Sequence, residues 1–152
     1  MRDGSRRSVS RTRSVVCRDG FSNFGNPIVA INAVTGALAG AVGLLPGATF
    51  TPARPGDAVA LFATGFGRTS PSFAAGELPS AIAYTVENPT VLLGDRLLQS
   101  REVIYAGVAP FLAGVYQLNL LIPADLPDGD YQVTIVLGAF SSPRGGFITV
   151  RR

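Results

Sequence analysis

Any chemistry in this chain falls to carboxylates, hydroxyls and guanidinium groups, because the sequence holds no histidine and no lysine. The commonest general base, the imidazole metal ligand and the Schiff-base amine are therefore all missing. The one acidic cluster is Asp125, Asp128 and Asp130, three carboxylates within six residues of a turn-rich stretch. Oxygen ligands in irregular geometry suit Ca²⁺, so this trio is the candidate metal site, although its spacing is not that of an EF-hand and the terminal Glu is absent. Asp-Gly-Asp between two strands is also ordinary turn chemistry, and the expectation is no bound metal and no cofactor. Glu77, Glu87, Asp95 and Glu102 stand singly. They read as solvated positions on loops and edges, not as acids set across a hydrolase cleft. No serine lies in a Gly-x-Ser-x-Gly elbow. Gly65-Phe-Gly67-Arg-Thr-Ser lacks the Gly-Lys-Ser/Thr ending of a phosphate loop. The sole cysteine, Cys17, supplies neither a disulfide nor a thiolate zinc site. No catalytic residue is assigned, and the chain reads as a non-enzyme.

The elements that would position any site are strands. Two apolar runs, 115–122 and 130–137, are separated by Pro123-Ala-Asp-Leu-Pro-Asp-Gly129. They read as antiparallel strands joined by a turn-rich connection. Period-two alternation puts Tyr116, Leu118, Leu120 and Ile122 on the core face of the first. In the second, Tyr131, Val133, Ile135 and Leu137 share one face. Upstream, Pro55-Gly56 marks a tight turn into a strand at 58–64, and the glycines around Phe66 predict a bend with the ring turned inward. A short edge strand is predicted at 82–86, a hairpin about Gly94-Asp95, a strand at 102–106 and a closing strand at 147–150. With 18 glycines and 11 prolines spread along 152 residues, this pattern predicts an all-β, immunoglobulin-like sandwich of about seven to nine strands. A chain of this length buries roughly two-thirds of its unfolded surface and needs no disulfide.

Charge is uneven. Residues 1–20 carry six arginines against two aspartates, whereas the rest of the chain has seven arginines against eight carboxylates. Nothing aromatic or helical accompanies the arginines, so residues 1–24 read as an Arg/Ser-rich leader, disordered or ahead of the native start, and not as a nucleic-acid grip. The leader lacks the apolar core of a signal peptide, and Cys17 reads as an unpaired thiol. Domain 25–152 follows. Its segment 27–45 is uncharged, but Asn32, Thr35 and its glycines make it a poor membrane span, so no stable membrane insertion is expected. The segment is strand-prone at Ile28, Val29, Ile31 and Val34. Those four residues are the candidate interaction site, as a strand donated to a neighbouring subunit's sheet.

Several motifs then fall in order. Pro52-Ala-Arg-Pro-Gly-Asp57 precedes Ala63-Thr-Gly-Phe-Gly67 and Pro71. Tyr105-Ala-Gly107, Ala109-Pro110, Gly114-Val-Tyr-Gln-Leu-Asn119 and Pro123 come next, then Leu126-Pro-Asp-Gly129 and Ser141-Ser142. Over about residues 25–152 this order resembles an uncharacterised C-terminal domain of large secreted and surface proteins of acidobacteria, which is similar to IPT/TIG immunoglobulin-like modules. The resemblance implies a non-catalytic, extracellular or cell-surface β-sandwich and supplies no catalytic residue. The functional expectation is a structural or interaction module whose partner is protein, self-association foremost, up to a surface filament. The alternative is a carbohydrate- or ligand-binding accessory domain, to be judged by whether Tyr84, Tyr105, Tyr116 and Tyr131 cluster on an exposed face or are buried.

Overall fold

Glycine and proline recur so often that no extended run survives for long, and the intervals between them form short strands. A computed structural model describes residues 26–28, 30–44 and 46–152. The chain is all-β, with one 3₁₀ turn at Ser100–Glu102 as its only helical element among those residues. Fourteen strands occur, in order β1 (Asn26–Pro27), β2 (Ala30–Asn32), β3 (Leu38–Ala39), β4 (Phe50–Thr51), β5 (Ala58–Ala63), β6 (Thr69–Ser70) and β7 (Tyr84–Thr85), followed by β8 (Thr90–Leu93), β9 (Arg96–Leu97), β10 (Val103–Val108), β11 (Tyr116–Leu121), β12 (Gly129–Leu137), β13 (Phe140–Ser141) and β14 (Gly146–Val150). Half of them are two-residue pairings, so the longer strands carry the expected pattern and short ones fill its margins.

The strands form a two-sheet sandwich. The larger sheet runs β4-β3-β2-β5-β11-β10-β7-β6, and the smaller runs β1-β14-β12-β8-β9 with β13 beside β12. Inward residues of both sheets meet in one core. The larger sheet contributes Val59, Leu61, Leu118 and Leu120, and the smaller contributes Val91, Leu93, Ile148 and Val150. The expected inward face of the first run is observed, with Leu118, Leu120 and Ile122 buried, and the shared face of β12 points inward too, with Val133 buried. Phe66 also turns inward, 5.4 Å from the Tyr116 ring.

The pairing of the two long runs needs correcting. β11 bonds to β5 and β10, whereas β12 bonds to β14 and β8. The connection 123–129 therefore crosses between sheets and closes no hairpin. Buried Pro123 and Leu126 plug the sandwich end at this crossing. Tyr131 then donates its hydroxyl to the Pro127 carbonyl at 2.8 Å and clamps the corner. A side chain at Gly129 would sit 3.1 Å from that ring, which would have to give by a few tenths of an ångström to admit it.

The Pro52–Asp57 motif is a latch. The Asp57 carboxylate accepts the Arg54 N–H at 2.9 Å and the Asn32 amide at 3.3 Å. Gly56 N–H donates to the Ile122 carbonyl and Ile122 N–H to the Asp57 carbonyl, both at 2.8 Å. The turn is thereby pinned to the end of β11 and to β2 at once. Ser142 acts similarly, its hydroxyl accepting the Ile135 N–H at 3.0 Å.

Candidate interaction surface

The segment around β7 breaks the usual rule for a half-exposed strand. Ala83 and Thr85 point inward and are buried, while Ile82, Tyr84 and Val86 alternate onto the solvent side at 62%, 56% and 57% exposure. An antiparallel sheet with one wet face normally puts polar residues there. The next strand extends the stripe. Tyr84 pairs in register with Gly107 of β10, and the Tyr105 ring lies 5.3 Å from Tyr84, edge on. Tyr105 reaches this position by folding across Gly107 and donating its hydroxyl to the Val108 carbonyl at 2.8 Å. A side chain at Gly107 would overlap both the Ala83 carbonyl oxygen and the Tyr105 hydroxyl. The Tyr-Ala-Gly motif is thus an aromatic ring laid over a glycine in a sheet. A register shift between Val103 and Tyr105 turns Ile104 outward, where it is exposed. Farther along the same rows, Gln117 and Asn119 face outward, joined by a 2.8 Å amide hydrogen bond.

Electrostatics do not compete with this apolar stripe. The pKa of Tyr105 is raised by burial, with Tyr84 adding to it, and Tyr116 is raised by burial. Both rings are neutral near pH 7.

Sheet edges offer little to a strand partner. Among the described residues the larger sheet ends in β4 and β6 and the smaller in β1 and β9, each with two residues. Pro27 lies in β1, Pro71 follows β6, and Arg96 occupies β9. Short strands, proline and charge are the means by which sheets refuse edge-to-edge pairing.

The donor-strand candidates lie mostly within the chain's own sandwich. β2 is not free; it lies between β5 and β3 in its own sheet, with Ala30 fully buried. Ile28 packs on the core, its N–H bonded to the Phe147 carbonyl at 3.0 Å, over the space left by Gly146. Ile31 is half-buried within β2, and Val34 lies in the turn after it, exposed. Asn32 ends the strand early, its side-chain oxygen accepting the N–H groups of Val34 and Thr35. Val29 lies outside the described residues, as do Leu45, Cys17 and the leader 1–24.

The acidic trio does not converge. Asp125 lies 3.6 Å from Arg96, Asp128 accepts the Arg152 N–H at 3.0 Å, and Asp130 lies 3.4 Å from Arg151. Each carboxylate turns to its own donor, and among the described residues no group of three or more acidic or sulfur ligands could hold a metal ion. Glu102, expected on the surface, is buried. It accepts the Gln99 N–H at 2.7 Å and pairs with Arg96 at 3.4 Å, because the 3₁₀ turn folds it back under β9. Of the tyrosines, Tyr84 and Tyr105 share the outer face, while Tyr116 and Tyr131 are half-buried against the core.

The stripe itself left a readable trace. Large apolar residues at 82, 84 and 86 alternate with small Ala83 and Thr85, an inverted pattern for a strand with one wet face. No helix among the described residues is long and apolar enough to cross a membrane. No family model matches the chain, and no curated protein matches it.

Proposed function

We propose that this chain is a non-catalytic interaction module that docks on protein surfaces, a second copy of itself foremost, through the outer face of its larger sheet. The observation that carries this reading is the stripe of Ile82, Tyr84 and Val86 on the solvent side of β7. Contiguous exposed apolar side chains mark interaction sites on otherwise soluble domains. The stripe is edged by Tyr105 and Ile104, and tyrosine is among the residues enriched at the anchoring centres of interfaces. The blunt edges favour docking by side chains over donation of a strand. A setting at the cell surface is supported by the resemblance to acidobacterial surface-protein domains. A filament would require a second, different patch on each subunit, because a self-complementary contact closes at the dimer.

Sedimentation equilibrium of the purified chain beside the variant Ile82→Ser/Tyr84→Ser/Val86→Thr tests the reading. The parent is expected to associate with rising concentration while the triple variant stays monomeric and folded. A parent that remains monomeric, or a variant that associates as well, overturns it.

A second reading has one observation in its favour. The Tyr84–Tyr105 pair stands beside the Gln117–Asn119 amide pair on one flat face, an aromatic-plus-amide combination that suits a sugar ring. Retardation of the parent, but not of Tyr84→Ala, in polysaccharide-containing gels would support that alternative.

A further inference from the structure

Between segment 67–79 and the start of β11 lies an open cleft of about 270 Å³, lined by none of the stripe residues Ile82, Tyr84 and Val86. Phe73, Pro79, Val108 and Tyr116 give it apolar walls, and Arg68 and Ser72 belong to its polar lining. Its aromatic wall is preformed, because Tyr116 donates its hydroxyl to the Gly67 carbonyl and packs on Phe66. Small-ligand sites have this makeup, mostly apolar with a few placed polar groups.

The polar lining is unequal. Thr69 donates its hydroxyl to the Pro71 carbonyl at 2.9 Å, and Glu77 accepts the Ala74 N–H at 2.8 Å, so both are engaged within their own loop. Arg68 makes no ion pair among the described residues, and the Ser72 hydroxyl has no protein partner there. The cleft thus keeps a guanidinium and a hydroxyl available while its one carboxylate is committed.

Phe111 adds an independent sign. Its φ is 62°, and its ring is 70% exposed. A bulky residue in left-handed backbone with its side chain in water is unfavourable on both counts, and such outliers gather at functional sites. Its N–H is bonded to the carbonyl of Pro79, a wall residue, at 2.9 Å, so the β10–β11 tip is held at the rim.

We propose that the cleft binds a monocarboxylate with a flat apolar body. The carboxylate is held by the Arg68 guanidinium and the Ser72 hydroxyl, the body lies against Phe73 and Tyr116, and Phe111 covers it from the rim. Guanidinium forks match carboxylate geometry, which makes this pairing stronger than a neutral one. The same chemistry is carried by a free aromatic acid and by the C-terminal residue of a polypeptide.

Titration of the isotope-labelled full chain, followed by amide resonances, separates the outcomes. The probes are phenylacetate, phenylacetamide and N-acetylglycyl-phenylalanine with a free carboxylate. Phenylacetate is expected to shift resonances of residues 67–79 and 114–116 in the millimolar range, with phenylacetamide roughly tenfold weaker. Arg68→Gln should lower the acid to the level of the amide, and Ser72→Ala should weaken it less, both with otherwise unchanged spectra. Tighter binding of the peptide acid than of phenylacetate assigns the site to a chain terminus, and weaker or equal binding assigns it to a free acid. Absence of localised shifts, equal response to acid and amide, or an unchanged response in a folded Arg68→Gln variant overturns the proposal.

Discussion

At Gly107 a single hydrogen atom decides whether two strands can lie together. The Ala83 carbonyl and the Tyr105 hydroxyl both occupy the space a β-carbon would need, and the first of these is backbone that cannot swing aside. Gly107→Ala is therefore expected to cost about 2–4 kcal/mol, read as a lower urea midpoint with an unchanged slope. Phe111 should behave in the opposite way. Its left-handed φ stores strain of about 1–3 kcal/mol, which Phe111→Gly relieves against a chain-entropy cost of about 1 kcal/mol. That variant is expected to be as stable as the parent or slightly more so, while losing the cleft's acid binding. A destabilised Phe111→Gly chain would mean that the ring packs for structure. The Arg96–Glu102 pair offers a third test. Glu102 is buried and also accepts the Gln99 N–H, while Arg96 is partly exposed and already has a buried Nε without a partner. Glu102→Ala leaves the Gln99 N–H without its acceptor and takes from Arg96 one of its two carboxylates, and should cost about 1–3 kcal/mol in the same unfolding measurement.

Among the elements, β2 bears on strand donation because it is already paired on both sides. Its three residues bond to β5 on one side and β3 on the other, so a donated copy would have to displace the chain's own strand. A labelled peptide spanning residues 26–39 is accordingly expected not to bind the folded chain in an anisotropy titration. Stoichiometric uptake would restore strand donation as the mode of assembly. The alternation of apolar and polar residues made β11 and β12 legible in the sequence, the Gly94-Asp95 turn the β8–β9 hairpin, and the glycines at 65 and 67 the inward Phe66. Period two says which side of a strand faces in, and nothing about which strand lies beside it. That is why period two alone leaves the run at 130–137 beside its chain neighbour, although its partners are β14 and β8, more than fifty residues from one another. Segment 27–45 is ambiguous for a related reason. Its lack of charge signalled burial, and burial in the chain's own sheet leaves the same trace as burial in a neighbour's. The stripe at β7 was legible as a strand but not as a surface, since small inward residues make the core side look like the weaker one. The cleft was not legible at all, because the chain brings 67–79 and 114–116 together through long-range contacts, the β5–β11 pairing among them.

For the molecule as a whole, the absence of histidine and the position of two tyrosines set how stability responds to pH. No imidazole titrates near neutrality. Tyr105 and Tyr116 both have hydroxyl pKa values raised above the ordinary 10.0 by burial. Each sits between elements that the sandwich must keep together: Tyr105 ties β10 to the Ala83 carbonyl beside β7, and Tyr116 ties β11 to the Gly67 carbonyl after β5. Above the unfolded value the unfolded chain sheds protons that the folded chain still holds, so unfolding releases protons there. Stability rises with pH where the unfolded state binds more protons, so here it must fall. The contribution of the two tyrosines is fully present below about pH 10 and is lost as pH climbs through their folded values. Both rings are half-buried and keep some contact with solvent, so screening limits the size of the effect. Thermal melts are expected to be level from neutral pH to about 9 and to descend beyond 10. The double variant Tyr105→Phe/Tyr116→Phe, compared with its own neutral melt, should descend less steeply, since phenylalanine has no proton to lose. An equal descent in the double variant would place the alkaline sensitivity elsewhere, and the two hydroxyls would then count only as hydrogen-bond donors.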